Sequence, residues 1–145
     1  MVACLGVSGI ASLITLPEIG GWYHGLVRPV IAPPDGVFGP VWTTLYLLMA
    51  VAAWRAWATD AFRWRSWCIE LFALQLMLNF AWSYLFFGFH MLGAALLDLA
   101  ALVLAVYATT RAFGQRDPWA GLLMVPYLAW VAFALALNAA FWWLN

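Results

Sequence analysis

Charge is scarce in this chain. Six acids and six arginines serve 145 residues, and there is no lysine. A soluble domain covers itself with polar groups, and twelve charged side chains cannot cover a chain of this size. The formal net charge is zero, which leaves no electrostatic footprint for nucleic acid. Cysteine is nearly missing as well. Cys4 and Cys68 stand in different apolar runs without metal-ligand spacing, so buried free thiols are expected ahead of a disulfide, and no metal site is expected. What fills the sequence instead is apolar, 68% of all residues. Runs of that length and character take lipid as their solvent. The composition is that of an integral, multi-pass membrane protein.

Crossing the hydrocarbon takes about 20 apolar residues as a helix. Five segments are candidates: Val2 to Pro17, Val41 to Ala58, Trp67 to Phe89, Met91 to Phe113 and Trp119 to Leu144. The first is short for a full span. It carries neither the basic leader nor the small-residue cleavage site of a secretory signal, so a retained helix is expected. Physical breaks separate the others. Charge clusters in TDAFRWR (Thr59 to Arg65), GFH (Gly88 to His90) gives a tight turn, and FGQRDP ends at Pro118, which suits a first helical turn. Continuous apolar character favours helices over the alternating strands of a barrel. The expected fold is all-α: one domain over residues 1–145, a five-helix antiparallel transmembrane bundle with a long structured first loop. With the amino terminus inside, Arg63, Arg65, Arg111 and Arg116 lie on the inner face with Arg55 near it, and only Arg28 lies outside.

Polar side chains inside a bundle mark its interior. Gln75 and Asn79 are four apart and share one helix face, which Trp82 extends. Asp98 is the lone acid deep in its span. It is either a helix–helix hydrogen-bonding group or a ligand or proton contact. In the fifth span Pro126 should loosen or kink the helix. Beyond it Trp130, Ala134, Leu137 and Asn138 follow on one face. A small residue beside an indole leaves either room for a flat apolar ligand or a close helix contact. Of eleven tryptophans, Trp54, Trp57, Trp64, Trp67, Trp142 and Trp143 read as interfacial anchors. Trp22, Trp42, Trp82 and Trp130 do not.

The segment GGWYHGLVRPVIAPPDGVFGPVW (Gly20 to Trp42) is the least hydrophobic part of the chain, yet it is stiffened by Pro29, Pro33, Pro34 and Pro40 and carries several aromatic residues. WYHGLVRPVIAPP, then VFGPVWTTLYLLM, QLMLNFAWSYLFFG, the lone Asp98 and WAGLLMVPYLAWVAFALALN together resemble the TspO/MBR family, in the same order and over nearly the whole chain. That resemblance implies five transmembrane helices, a homodimer, and a pocket for porphyrins and other flat apolar ligands under a lid made by the first loop. Glycines at 20, 21 and 25 would permit the turns of that lid, and its prolines would lower the entropy cost of holding it.

Carried over residue by residue, Tyr23, Trp42, Asn79 and Trp130 match positions that contact ligand, and Ala134 and Leu137 match carboxyl-helix positions tied to ligand effects. Trp22, Tyr46 and Trp82 complete the expected ligand-binding set. Ile31 departs from the family, which usually has an aromatic residue there, so a looser lid is expected. LNAAFWWLN lacks the Tyr-then-Arg pattern that continues the animal sequences, so cholesterol is not expected. The implied function is tetrapyrrole binding in sensing, sequestration or transport, with a protoporphyrin-like ligand and no required cofactor. The alternatives are light- and oxygen-dependent porphyrin degradation involving Trp42 and Trp130, and a ligand-gated scaffold. No catalytic residue is otherwise assigned. The expected setting is a bacterial cell envelope, with membrane lipid and a second copy of the chain as partners.

Overall fold

The computed structural model describes residues 21–59 and 66–145, together with Gly6. The span expected at 2–17, Cys4, and the arginines at 63 and 65 lie outside the described residues. Within them four helices are long and apolar enough to cross a membrane. A short helix α1 (Trp22–Gly25) precedes them. Then come α2 (Phe38–Thr59), α3 (Trp67–Ser83), α4 (Leu92–Arg116) and α5 (Pro118–Leu144). The chain is an all-α multi-pass membrane protein.

Each expected span from the second to the fifth has its helix, with boundaries moved for local reasons. α2 begins three residues early because a 3₁₀ turn at Asp35–Val37 leads straight into it. Pro40 is accommodated in its first turn, where no intrahelical donor is needed. The third span does not stay α-helical to its end. The five residues after α3, Tyr84–Gly88, form a π turn. The tight turn that follows places positive φ on His90, at 56°, and no described glycine has positive φ. The first loop bends where Ala32 N–H donates to Pro29 C=O and Val37 N–H donates to Pro34 C=O, both at 3.0 Å. Proline thus supplies bends beside the turn at Gly21.

α5 packs along α4 and also against α2, and α3 packs along α4. In lipid the solvent is as apolar as the core, so close packing and interhelical hydrogen bonds hold such a bundle together. The α4–α5 contact shows the first. A Cβ on Gly121 would stand 2.6 Å from Gly114 Cα and 3.2 Å from the Thr110 carbonyl oxygen, so only glycine permits this approach. A single residue joins these helices. Asp117 caps α5 by accepting from Trp119 N–H at 3.1 Å, and it accepts from Arg55 Nε of α2 at 2.5 Å. That hydrogen bond from Arg55 holds the Asp117 carboxyl below its ordinary pKa. Pro118 follows at the first position of α5, as FGQRDP suggested.

α5 runs through Pro126 as one helix from Pro118 to Leu144, so the proline does not interrupt it, and its ring faces outward. Cys68 is a buried free thiol, as expected. Trp54, Trp67, Trp142 and Trp143 are each more than half exposed. They occupy the ends of their helices, where indoles anchor at the membrane interface.

Candidate functional site

The site is built where α1 lies over the ends of α2, α3 and α5. Tyr23 is 2% exposed and points inward among Phe86, Phe87 and Phe141, with its ring centroid 5.2 Å from that of Phe141. Burial raises the pKa of its hydroxyl, and Arg28 opposes that rise. Trp22, next in the chain, turns the other way. It stacks on His90 at 4.1 Å with an interplanar angle of 16°, and meets Phe86 edge-on at 5.7 Å. Asn145 fastens the irregular segment that follows α1. Its Oδ1 accepts from Val27 N–H at 2.9 Å, and its Nδ2 donates to the Val27 carbonyl at 3.2 Å.

Beneath Tyr23 is a cavity of about 30 Å³. Trp42, Trp82 and Trp130 line it with Phe38, Phe86, Phe87, Phe133 and Phe141, and Ala134, Leu137 and Asn138 complete the wall. Trp42 and Trp130 stand perpendicular at 6.4 Å, and Trp42 and Trp82 lie 6.3 Å apart. Edge-to-face contacts of this kind favour aromatic pairs beyond simple burial. The volume is that of about one water molecule. The rings therefore fill their own enclosure, and a larger guest must part them.

Six of the nine expected ligand-binding residues line this cavity: Tyr23, Trp42, Trp82, Trp130, Ala134 and Leu137. The other three stand next to it. Trp22 is on the outer side of the lid. Tyr46 and Asn79 lie behind Trp42, in a buried hydrogen-bonded chain. Tyr46 O–H donates to Asn79 Oδ1 at 2.5 Å, and Asn79 Nδ2 donates to Tyr127 Oη at 3.1 Å. Gln75, one turn away on the same face, is fully buried and directs Nε2 at the Met49 sulfur. Gln75, Asn79 and Trp82 thus share one buried face, as their spacing indicated, and that face meets α2. Asp98 is half-buried on α4, outside the cavity lining, and its Oδ2 has no hydrogen-bond partner among the described residues.

Five wall residues were not expected: Phe38, Phe86, Phe87, Phe133 and Phe141. Asn138 was read only as part of a helix face. The π turn explains two of them. An extra residue per turn lets Phe86 and Phe87 both point inward beside Trp82, and π turns gather at functional sites. Three polar atoms in the wall are left over. Tyr23 Oη, Trp82 Nε1 and Asn138 Oδ1 are buried without a hydrogen-bond partner among the described residues, although Asn138 Nδ2 donates to the Leu92 carbonyl at 3.1 Å. The indole is a donor, the amide oxygen an acceptor and the phenol either, so the wall can orient a guest that carries both functions.

The TspO/MBR family matches residues 1–144. The chain is 39% identical over 146 residues to the tryptophan-rich protein TspO of Archaeoglobus fulgidus, covering 100% of this chain and 94% of that one. It is 42% identical over 123 residues to the translocator protein of Homo sapiens, covering 83% of this chain and 73% of that one. A tryptophan-rich sensory protein of Cereibacter sphaeroides is 40% identical over 138 residues, covering 95% of this chain and 84% of that one.

Proposed function

This chain belongs to the TspO/MBR family, and we propose that it binds a flat, apolar tetrapyrrole of the porphyrin class and acts in its sensing, sequestration or transport. The observation that carries this reading is the box of Trp42, Trp82 and Trp130 around Ala134, closed by Tyr23. Indole faces against which a ring can lie suit a planar conjugated guest, and the absence of charge among the described wall residues suits its apolar body. Trp82 Nε1 and Asn138 Oδ1 offer a donor and an acceptor to heteroatoms on the ring. Pockets for ligands of this size run to several hundred Å³. Binding therefore opens the wall, and the lid, joined to the bundle by few hydrogen bonds, is the part that gives way first. The names of the relatives, sensory protein and translocator protein, fit both a signalling and a carrier role. With Arg55, Arg111 and Arg116 at the end away from the lid, the lid lies outside and the amino terminus inside.

Titrating protoporphyrin IX into the purified protein in detergent tests the reading. Trp130→Ala should weaken binding about tenfold to a hundredfold while the helices stay intact, since an aromatic wall is worth roughly 1–3 kcal/mol. Unchanged titration curves would remove Trp130 from the site. Illumination in air separates the alternatives. Trp130-dependent loss of pigment absorbance would favour degradation, whereas pigment that bleaches no faster than in empty detergent favours a binder.

A further inference from the structure

The lid carries a charge cluster that the apolar cavity leaves unused. Arg28 donates from Nη2 to one carboxylate oxygen of Asp35, and His24 Nε2 lies 2.9 Å from the other. Two basic side chains thus converge on one carboxylate. The cluster also adjoins the site. The guanidinium carbon of Arg28 is 5.1 Å from the centroid of the Tyr23 ring, and Tyr23 lines the cavity. One aromatic ring therefore separates an arginine and a second hydrogen-bond donor from an enclosure whose described wall has no charged residue.

A porphyrin with free acid side chains is amphiphilic, with an apolar ring and carboxylates on one edge. An unpaired carboxylate inside the aromatic box would be costly, so the acid edge must emerge where cations stand. Arg28 supplies the charge and His24 a second donor, and they keep 35% and 52% of their side-chain surface exposed, so pairing there demands little further desolvation. We propose that Arg28 and His24 form a carboxylate subsite on the lid, with Asp35 holding the place of a ligand's acid group, so that the pocket prefers porphyrins with free carboxylates over their neutral esters. This rests on the porphyrin reading of the pocket. Arg28 exchanges one carboxylate for another, so Asp35 is a competitor, and removing its charge strengthens acid binding. A residue that merely braced the lid would act in the opposite direction.

The test compares protoporphyrin IX with its dimethyl ester, by fluorescence titration of the full chain in detergent. The ester reports ring burial and lid packing, and the ratio of the two affinities isolates the charge contribution. The wild type should prefer the acid. Arg28→Gln should reduce that preference about threefold to fivefold, the scale of a part-exposed ion pair. Asp35→Asn should raise it by a similar factor, and added salt should reduce it in the wild type without any substitution. An acid-to-ester ratio that is the same in all three proteins and insensitive to salt would overturn the subsite and leave the pocket standing. If neither porphyrin binds, the reading of the pocket falls, and the subsite with it.

Discussion

At the Arg55 end of the bundle one residue, Asp117, joins two long helices, caps one of them and accepts a hydrogen bond from a third element. Gly114 and Gly121 bring α4 and α5 to backbone contact beside it. At the lid end the same helices spread around large rings, a π turn widens α3, and the cover is a loop held by Asn145, by stacking on His90 and by its own ion pairs. Three polar atoms there, on Tyr23, Trp82 and Asn138, are buried without partners among the described residues. Both ends leave some buried polar groups over, Ser66 Oγ among them at the first. One end fills its space with backbone, and the other fills it with side chains that can rotate. Close packing is concentrated at the first end, and the proposed function asks the second to admit a guest.

The strongest break of this comparison is Gly121→Ala. The new methyl group would meet the Gly114 backbone, which cannot rotate away as a side chain can. Overpacking of this kind costs about 1–3 kcal/mol, read as a lower unfolding midpoint in detergent. If the two ends act separately, the folded variant should keep its porphyrin affinity. An affinity that falls as far as the stability would show that the α4–α5 contact sets the pocket as well.

Asn79→Leu probes the layer between the ends. Tyr46 and Tyr127 each lose a buried partner, at a cost of about 1–2 kcal/mol for interhelical hydrogen bonds in a membrane protein. Stability should fall while affinity changes little, because Asn79 stands behind Trp42. The reverse result, weaker binding at unchanged stability, would mean that the wall opens far enough for Asn79 to reach the ligand directly, as the family resemblance implied.

Much of the frame was legible from residue spacing. Charge at Thr59 to Arg65, the turn before Met91 and Pro118 mark helix limits because these groups are costly or awkward in lipid wherever they occur. Gln75, Asn79 and Trp82 declared an interior face for the same reason. The phenylalanines gave no such signal. In a soluble helix an apolar stripe marks the core, but here lipid and core are equally apolar, so nothing in its composition sets Phe86 or Phe141 apart from exposed Phe89. The π turn was hidden as well, since it changes hydrogen-bond register with no proline inside it, and its one glycine, Gly88, reads as part of the turn that follows. Tyr46 and Asn79 were placed in the site by resemblance. Only the structure shows the hydrogen bonds that set them one layer back.

Acid should weaken the Arg55 end selectively. Asp117 has a depressed pKa in the folded protein because of Arg55, so its contribution is fully present above the ordinary aspartate value near 4. It is lost as pH falls through the lower, folded value. Asp117→Asn removes the charge but keeps a residue able to cap α5. At pH 7 the variant should unfold at a lower temperature than the wild type, and the two curves should converge on acidification below about pH 4. A gap that persists in acid would assign the effect to packing around Asp117 instead of to its charge.

The smallest effect expected is at the lid strap. Asn145 pairs with both backbone groups of Val27, and its Nδ2 also donates to the Phe141 carbonyl at 3.0 Å, so one amide ties the lid to α5. The site is exposed, and water can replace these bonds. Asn145→Ala should therefore cost only about 0.5–1.5 kcal/mol, and only in the closed state. A ligand that needs the lid closed then binds more weakly in proportion to the fraction still closed, by about twofold to tenfold, and mostly through faster dissociation. Val30 is fully exposed and Ile31 half exposed, so the lid tip adds little apolar contact to compensate. Amide exchange across residues 21–34 should quicken in the variant and slow again when porphyrin is bound, while exchange in α4 and α5 stays the same. If bound porphyrin leaves exchange in that segment unaltered even in the wild type, the loop does not close over the ligand. The lid end would then owe its looseness to something other than admitting a guest.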